Sequence, residues 1–237
     1  MNNNKMFGIY IISYNRADSI KTHKFLEYYK VVIRESEKDE YLKVIPEENL
    51  LPVPDDEICG FTKVMNWVIK NAEEDVIVIL DDDIKMFQYR LEYTVTIKDK
   101  SIITEELERV GQLMYDLDIG LACVDVTAAP WNYCSEFEFT GTSGGCRWFN
   151  RPIFKSRFTT DMGDSCDFDV VFQELLKNRI ILKPKYLVAN AIIDLNKGGI
   201  QKSRQGTIDS YKAMKIKWGK YFTYNLKQNK AFIKVER

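Results

Sequence analysis

The sequence has 237 residues, of which 45% are hydrophobic and 29% are charged, as is typical of a soluble globular protein. This length favours one large domain, and this composition excludes a disordered chain, a collagen-like fibre and a coiled coil. No apolar run approaches the roughly 20 residues that span a bilayer, and the first residues do not form a secretory signal, so we expect a cytoplasmic protein.

The cysteines and the histidine restrict the chemistry of any site. The five cysteines form no C-x-x-C pair, and an odd number does not suit a disulfide framework. Because His23 is the only histidine, a zinc site built from Cys and His is excluded, as is a Ser-His-Asp or Cys-His mechanism away from that residue. A bound metal must therefore rely mainly on carboxylates.

The first 80 residues alternate between strand and helix patterns. An almost continuous apolar run over 6–13 predicts a strand buried on both faces of a parallel sheet. We then predict a helix over 19–30, a strand over 31–35, a helix over 61–72 and a strand over 76–80. This order predicts an α/β fold with a mixed, mostly parallel sheet flanked by helices.

The remaining residues are less regular. In chain order they predict a hairpin over 85–98, a helix over 104–118 capped by Thr104, a strand over 120–129, a helix that starts near Asp169, a strand over 179–190 and a basic helix over 208–222.

The sequence contains no internal repeat and no linker. We therefore predict a single domain, with a catalytic body over 1–195 and a basic C-terminal appendage over 196–237 packed onto it. Residues 130–160 are rich in aromatic and small polar side chains and predict substrate-facing loops. Trp131 and Trp148 are candidate acceptor contacts there, although packing side chains give the same pattern.

Charge is divided unevenly along the chain. Residues 177–237 hold 15 lysines and arginines and 3 acidic residues, a net of +12, whereas the first 176 residues hold 19 basic and 32 acidic residues, a net of −13. This division predicts a positive surface that meets an anion and carboxylates elsewhere that hold a cation. Solvated helix faces with uneven composition are the alternative.

Three aspartates, Asp81, Asp82 and Asp83, directly follow the apolar strand VIVIL. Adjacent carboxylates repel one another, and a divalent cation such as Mg²⁺ or Mn²⁺ relieves the repulsion. Side chains alternate along a strand, so we expect Asp81 and Asp83 to share one ligand and Asp82 to point away. Ligands of α/β sheets bind beyond the carboxyl ends of the strands, which favours a metal site over a simple acidic turn.

The motifs around these aspartates resemble those of the GT-A glycosyltransferases, over roughly residues 6–195. The resemblance rests on the strand-terminal D-x-D, on the preceding helix G-x-x-K-x-x-N and on a first strand that ends in SYNR. It implies a Rossmann-like fold, a nucleotide-diphosphate sugar as donor, and Mn²⁺ or Mg²⁺ as cofactor. The donor contacts that it implies are Ser13, Tyr14, Asn15, Arg16, Arg34 or Glu35, Lys63, Asn66, Asp81 and Asp82, with Asp83 and Asp81 as metal ligands.

A second acidic segment, TTDMGDSCDFDVVF, resembles the carboxylate-bearing helix start under the acceptor in that family. The resemblance implies that Asp167 is the general base of an inverting transfer, with Asp164 and Asp169 as neighbouring candidates. The family often has a glutamate where this chain has Cys166. An ordinary helix N-cap is the alternative interpretation.

A third segment, DLNKGGIQKSRQG, combines adjacent glycines with basic side chains, as a phosphate-binding loop does. The family often places a metal-binding histidine near here, which this chain lacks, so Asp194, Asn196 or water would have to serve. A surface loop is the alternative. The candidate phosphate contacts are Gly198, Gly199, Lys202 and Arg204.

The basic loop that follows the acidic helix is similar to that of phage TET-associated glycosyltransferases, which modify hydroxymethylated DNA bases. This similarity implies DNA as acceptor, bound through the basic C-terminal residues, and the host cytoplasm as location if the source is a phage. Lys215, Lys217 and Lys220 are the candidate phosphate contacts.

Two alternative functions fit the sequence less well. A nucleotidyltransferase would need a glycine-rich loop after the first strand, which SYNRADS lacks, and a non-catalytic nucleic-acid-binding module would leave the aspartates unexplained.

Overall fold

A computed structural model describes residues 6–191, 203–228 and 230–235. The strands are β1 (Phe7–Ile12), β2 (Lys30–Arg34), β3 (Leu50–Val53), β4 (Val76–Asp81), β5 (Ile84–Arg90), β6 (Thr94–Ile97), β7 (Leu121–Cys123), β8 (Phe137–Glu138), β9 (Cys146–Asn150), β10 (Lys183–Pro184), β11 (Leu187–Ala191), β12 (Phe222–Asn225) and β13 (Lys230–Ile233). The α-helices are α1 (Lys38–Tyr41), α2 (Phe61–Asn71), α3 (Lys100–Asp116), α4 (Cys166–Lys177) and α5 (Arg204–Trp218).

The central sheet has the strand order β3-β2-β1-β4-β9-β7 within the described residues. β1, β2, β3 and β4 are mutually parallel, and β9 runs antiparallel to both of its neighbours. This arrangement confirms the predicted GT-A-like mixed, mostly parallel sheet. Because the parallel strands end at the same edge, the turn after β1 and the aspartates after β4 meet there.

Helices cover both faces of the central sheet, which explains why β1 and β4 are apolar throughout. α3 and the sheet β11-β5-β6 pack on one face, where Leu107 and Val110 contact the same core as Ile9 and Val78. α2, α4 and α5 pack on the other face. Tyr211, Met214 and Phe222 are buried in that second core, so the described part of the C-terminal segment belongs to the body of the fold.

The helix predicted over 19–30 is wrong. Only a 3₁₀ turn forms there, over Thr22–Phe25, and β2 already begins at Lys30. The backbone N–H groups of Lys21 and Thr22 donate to the Asp82 carbonyl at 2.9 and 3.3 Å, and the Thr22 hydroxyl donates to the Asp81 carbonyl at 2.6 Å. These donors stabilise the aspartate turn instead of a helix.

Other boundaries move by a few residues. α3 begins at Lys100 with Asp99 as its cap, whose carboxylate accepts from the Ser101 N–H at 2.9 Å, so the predicted cap Thr104 is wrong. Thr104 is buried inside that helix. α4 begins at Cys166, and α5 begins at Arg204, four residues before the predicted basic helix. The hairpin predicted over 85–98 is present as β5 and β6.

The predicted strand over 179–190 is two short strands, β10 and β11, and the predicted strand over 120–129 shortens to β7. No helix in the described ranges is both long enough and apolar enough to cross a membrane.

The region 130–160 contains a central-sheet strand as well as loops. β9 lies between β4 and β7 and is buried along its whole length. Trp148 on this strand is 0% exposed, and its indole N–H donates to the Leu107 carbonyl at 2.9 Å. The prediction that Trp148 contacts an acceptor is therefore wrong, because the side chain is part of the core between β9 and α3.

Candidate donor and catalytic site

Asp82 faces the turn after β1. The Ser13 hydroxyl donates to Asp82 Oδ2 at 2.5 Å and lies 2.6 Å from the Tyr41 hydroxyl. Asp82 is only 3% exposed, and this burial raises the pKa of its carboxyl, although the Ser13 hydrogen bond and the Arg16 charge act in the opposite direction. The predicted donor contacts Ser13 and Asp82 therefore lie together, on the nucleotide side that the resemblance implies.

Arg16 bridges two of the three aspartates. Its Nη1 lies 2.7 Å from Asp82 Oδ1 and 3.3 Å from Asp83 Oδ2. Burial alone would lower the pKa of the guanidinium, but the charges of Asp82, Asp83 and Asp81 outweigh it and raise the pKa. The sequence predicts a metal ion that relieves the repulsion among the three aspartates. In the structure the Arg16 guanidinium relieves part of that repulsion.

Arg147 is a buried cation beside the end of β4. This buried guanidinium lies 3.0 Å from Asp81 Oδ1 through Nη1, and its Nε donates to the Ser143 hydroxyl at 2.9 Å. Burial would lower the pKa of Arg147, but the charges of Asp81 and Asp167 raise it. Asp167 lies in the first turn of α4, and its charge acts on the same guanidinium that pairs with Asp81.

Two glycines permit this arrangement. A Cβ at Gly145 would lie 2.8 Å from Asp81 Oδ2, and a Cβ at Gly144 would lie 2.6 Å from the Val124 carbonyl oxygen. The Gly145 carbonyl accepts from the Asp81 N–H at 2.8 Å. The two glycines of the motif GTSGG therefore let β9 begin directly beside Asp81.

The aspartates do not alternate as predicted, because β4 ends at Asp81 and a turn precedes β5 at Ile84. Asp82 and Asp83 both pair with Arg16, whereas Asp81 pairs with Arg147, and a metal ion shared by Asp81 and Asp83 stays a prediction.

Among the described residues, no group of three or more His, Cys, Asp or Glu side chains could hold a metal ion. Mg²⁺ is nevertheless commonly bound through one or two carboxylates together with substrate phosphates, and Asp83 with Asp81 fits that donor set.

A carboxylate that the sequence reasoning missed lies beside the first-strand turn. Asn15 has φ = 52°, in the left-handed region that asparagine tolerates, and its N–H donates to Glu37 Oε1 at 2.7 Å. Glu37 Oε2 is buried and has no hydrogen-bond partner among the described residues. Burial raises the pKa of Glu37, while the Asn15 N–H and the Arg34 charge lower it. The predicted Glu35 is instead exposed.

Tyr14 and Arg34 form an open platform next to this carboxylate. The Arg34 guanidinium carbon lies 4.0 Å from the centre of the Tyr14 ring, a cation–π arrangement. Tyr14 is exposed on the surface of the turn. A nucleotide base that stacks on this platform would lie close to the Arg34 guanidinium and to the Glu37 carboxylate.

Two other predicted donor contacts have structural roles. Asn66 uses its side-chain oxygen and nitrogen on the backbone N–H and carbonyl of Phe158, at 3.0 and 2.8 Å, so it tethers that loop to α2. Lys63 is exposed and donates to the Asp56 carbonyl at 3.1 Å. The side chain of Asn66 is thus occupied by a neighbouring loop, which contradicts its placement on the donor, whereas the donor contact of the exposed Lys63 stays a prediction.

The predicted phosphate loop lies mostly outside the described residues, as Gly198, Gly199 and Lys202 do, together with Asp194 and Asn196. Arg204 is described: it is exposed in the first turn of α5, directly after the capping residue Ser203. Its role in phosphate binding stays a prediction.

The three acids near the start of α4 differ in accessibility. Asp169 is 0% exposed, lies 2.8 Å from Lys217 Nζ and accepts from the Trp218 indole at 2.7 Å. It therefore ties α4 to α5, and its candidacy as the base is wrong. Asp164 accepts from the Thr207 hydroxyl at 3.1 Å. Asp167 is partly exposed, its charge acts on Arg147, and its role as the base stays a prediction.

A second charged cluster follows β7 and was not predicted. Asp125 lies 2.6 Å from Lys183 Nζ, 2.7 Å from Arg90 Nη2 and 3.1 Å from Lys185 Nζ. Burial would raise the pKa of Asp125, but these cations lower it well below its usual range. The same cations donate to the carbonyls of Thr127 and Thr142, so the cluster fixes both ends of the loop that carries Trp131, which is 84% exposed.

The basic C-terminal residues are of two kinds. Lys215 donates to the carbonyls of Gly219 and Phe222 at 2.8 and 3.0 Å, and Lys217 pairs with Asp169, so these two lysines hold the end of α5. Both lysines are exposed, so their contact with phosphate stays a prediction beside this structural role. The lysines that lie exposed on the described segment after α5 include Lys220, Lys227, Lys230 and Lys234.

The chain matches a protein family over its first half. The model of the family described as TET-Associated Glycosyltransferase matches residues 7–128, just over half of the 237 residues. The matched part contains β1 to β7 and therefore the first-strand turn, the three aspartates and Asp125, but neither Arg147 nor Asp167. No curated protein matches the sequence.

Solved structures show the same fold at low sequence identity. S. aureus TarS 1-349 matches with a TM-score of 0.50 at 14% identity, over 89% of this chain and 64% of that one. The mannosyltransferase PcManGT from Pyrobaculum calidifontis, in complex with GDP-Man and Mn²⁺, matches with a TM-score of 0.56 at 17% identity, over 90% and 65%. A mycobacterial protein matches with 0.51 at 9% identity, over 96% and 82%. The chain thus spans slightly less than two thirds of the first two structures.

Proposed function

Because this chain belongs to the TET-associated glycosyltransferase family, we propose that it transfers a sugar from a nucleotide-diphosphate sugar to an acceptor hydroxyl. The observation that carries the proposal is the meeting of the turn after β1 with the aspartates after β4, which Arg16 joins, next to the Arg147 guanidinium, which pairs with Asp81 and on which the charge of Asp167 at the start of α4 also acts. A nucleic-acid-binding module without catalysis would have no use for this arrangement.

The donor nucleotide would lie along the carboxyl ends of β1, β2 and β4. Tyr14 and Arg34 offer a stacking surface for the base, and the buried Oε2 of Glu37 offers an acceptor for a base N–H. Ser13 and Asp82 would face the ribose. These side chains approach from adjacent strands, as in other α/β sheets that bind nucleotides at this edge.

The diphosphate would lie over Asp83 and Asp81, which would hold Mn²⁺ or Mg²⁺. A divalent cation supplies charge neutralisation to the departing nucleoside diphosphate. Mn²⁺ and GDP-Man are both present in the Pyrobaculum calidifontis mannosyltransferase, whose fold this chain shares. Arg16 and Arg147 keep Asp83 and Asp81 together with little net repulsion before the donor arrives.

Asp167 would act as the general base. A carboxylate in the first turn of a helix is stabilised as the anion by the helix dipole, and the nearby Arg147 charge stabilises it further. An ionised carboxylate can accept the proton of the acceptor hydroxyl as that oxygen attacks the anomeric carbon, which inverts the configuration.

The acceptor would be a hydroxymethylated base in DNA. The match to the TET-associated glycosyltransferase family and the exposed lysines after α5, Lys220, Lys227 and Lys230, support this choice, since lysines that reach phosphates supply sequence-independent affinity for DNA. A base inside a duplex must be flipped out to reach Asp167.

The test is a transfer assay with a panel of UDP-, GDP-, CDP- and TDP-sugars, each with and without Mn²⁺, on DNA that contains 5-hydroxymethylcytosine. Unmodified DNA of the same sequence is the control. We expect mass spectrometry to detect a hexose added to the modified strand with one nucleotide class and only with the metal. Donor hydrolysis without DNA transfer would retain the glycosyltransferase and remove the DNA acceptor, and the absence of both reactions would contradict the proposal.

A further inference from the structure

We propose that Arg16 couples the binding of the divalent cation to the binding of the donor diphosphate. Its guanidinium serves as the cation of Asp82 and Asp83 before substrate arrives, and it leaves Asp83 for the diphosphate when the metal binds. The inference rests on the proposed function, because it needs a nucleotide-diphosphate sugar at this site.

The first step is that Arg16 and a metal compete for the same carboxylate. Arg16 Nη1 lies 3.3 Å from Asp83 Oδ2, and both side chains are mostly buried. A divalent cation bound to Asp83 at the distances usual for Mg²⁺ or Mn²⁺ would lie within a few ångströms of the guanidinium. Two positive charges this close repel strongly in a poorly hydrated site. The metal therefore binds Asp83 only as Arg16 moves away.

The second step is that the Arg16 side chain can move while its backbone stays fixed. The Arg16 N–H donates to the Tyr41 hydroxyl at 3.2 Å, and the Arg16 carbonyl accepts from the N–H groups of Ser19 and Ile20, both at 2.9 Å. None of these bonds involves the guanidinium. Asp82 also keeps its 2.5 Å hydrogen bond from Ser13 when the guanidinium leaves.

The third step is that the diphosphate offers the guanidinium a new partner. Arginine binds phosphate oxygens through two parallel N–H groups, a geometry that lysine lacks. A bound diphosphate therefore lowers the cost of releasing Asp83, and a bound metal lowers the cost of recruiting Arg16 to the phosphate. The metal and the diphosphate then increase each other's binding affinity by the same factor, as thermodynamic linkage requires.

The test is calorimetry of Mn²⁺ binding in the presence and absence of a saturating nucleoside diphosphate, with GDP and UDP as the probes. For the wild type we expect weak Mn²⁺ binding alone and binding about 10-fold or more tighter with the nucleotide, within the usual range of coupling between sites. In Arg16→Gln we expect Mn²⁺ alone to bind about 10-fold tighter than in the wild type and the coupling factor to fall by about the same 10-fold, which leaves only the part that comes from direct contact between the metal and the diphosphate.

Two variants serve as controls. Arg16→Lys keeps the charge and loses the planar fork, so we expect weak Mn²⁺ binding as in the wild type with reduced coupling. Arg157→Gln removes an exposed arginine that lies outside the site, and both constants should stay at their wild-type values. If Arg16→Gln does not fold, as judged by its thermal unfolding, Arg16→Lys carries the test, and unchanged coupling in it would overturn the proposal.

The outcomes separate this inference from the proposed function. Wild-type protein that binds Mn²⁺ and nucleotide independently would overturn the coupling and leave the glycosyltransferase proposal standing. The same holds if Mn²⁺ affinity is unchanged in Arg16→Gln. Wild-type protein that binds neither ligand would overturn both proposals.

Discussion

The two charged clusters at the edge of the central sheet have opposite balances of charge. At the end of β4, the three aspartates at 81–83 are joined by Arg16 and Arg147, so carboxylates outnumber the arginines that hold them. At the end of β7, one carboxylate, Asp125, is shared by three cations, Arg90, Lys183 and Lys185.

The comparison indicates which cluster can bind a further ion. The cations around Asp125 are almost completely buried, Arg90 and Lys183 also donate to backbone carbonyls, and Lys185 also pairs with Glu138, so that cluster is a structural tether. The cluster after β4 keeps an excess of negative charge and partly exposed carboxylates at Asp81 and Asp83. Its composition suits a cation and an anionic substrate.

The largest expected effect is on turnover, at the acid next to the β4 cluster. Asp167→Asn keeps the shape and an oxygen at the start of α4 but cannot accept the acceptor proton. We expect turnover to fall by roughly 10²–10⁴-fold with donor affinity and thermal stability little changed. The matched control is Asp161→Asn, which alters an exposed acid in the same segment. Turnover close to wild type in Asp167→Asn would transfer the role of base to Asp164.

A change in the cluster around Asp125 at the end of β7 should lower stability and leave donor binding intact. Asp125→Asn leaves three buried cations without their shared anion, so we expect the free energy of unfolding to fall by roughly 3–5 kcal/mol. Donor affinity per folded molecule should stay unchanged. Urea unfolding measures the first quantity and calorimetry the second. Full stability combined with lost donor binding would reverse the roles of the two clusters.

This cluster also predicts a pH dependence. The cations lower the pKa of Asp125 in the folded protein, so its contribution to stability is present above the pKa of the unfolded chain and is lost as pH falls below about 4 toward the lowered value. We expect wild-type stability to decrease over that acidic range and Asp125→Asn to lack this part of the decrease. Unfolding at a series of pH values checks it.

The next effect concerns the metal. Asp83→Asn should weaken Mn²⁺-dependent binding of a nucleoside diphosphate by about 100-fold, the upper end of what groups that only support a ligand produce. Thermal stability should be maintained, because the change removes one of several mutually repelling charges. Asp18→Asn, an exposed acid after the same turn, is the control. Unchanged affinity in Asp83→Asn would exclude Asp83 as the ligand.

The smallest effect is expected on DNA. Combined Lys→Gln changes at 220, 227 and 230 should make the slope of log affinity against log salt shallower by about 3 if each lysine meets a phosphate. Donor hydrolysis should not change. Lys→Gln changes at 43, 70 and 100 remove equal charge outside this segment and serve as the control. Equal slopes in both triple variants would remove the basic segment from the acceptor site.

The sequence predicted the β4 cluster better than its partners, for physical reasons. The apolar run before Asp81 has the length and continuity of a buried strand, and three consecutive aspartates directly after such a strand indicate a charged site. Arg147 was missed because β9 is short and contains a charge at its second position, so its pattern does not indicate a strand inside the sheet. Glu37 was missed because it lies beyond the end of β2, where periodicity no longer indicates direction.

The Asp125 tether could not be predicted at all. Its three cations come from β5, from β10 and from the residue between β10 and β11, and only the tertiary fold brings these segments to the end of β7. Asn66 failed as a predicted donor contact because a polar side chain on a helix binds a neighbouring loop as readily as a ligand.

The most direct test of the account is a crystal structure of the protein with a nucleoside diphosphate and Mn²⁺, recorded at a wavelength that identifies manganese. We predict one anomalous peak at the Asp83 carboxylate, with the diphosphate against it and the Arg16 guanidinium moved from Asp83 to a phosphate oxygen. Manganese away from residues 81–83, or a nucleotide bound away from the turn after β1, would contradict the assignment of this strand end as the donor site.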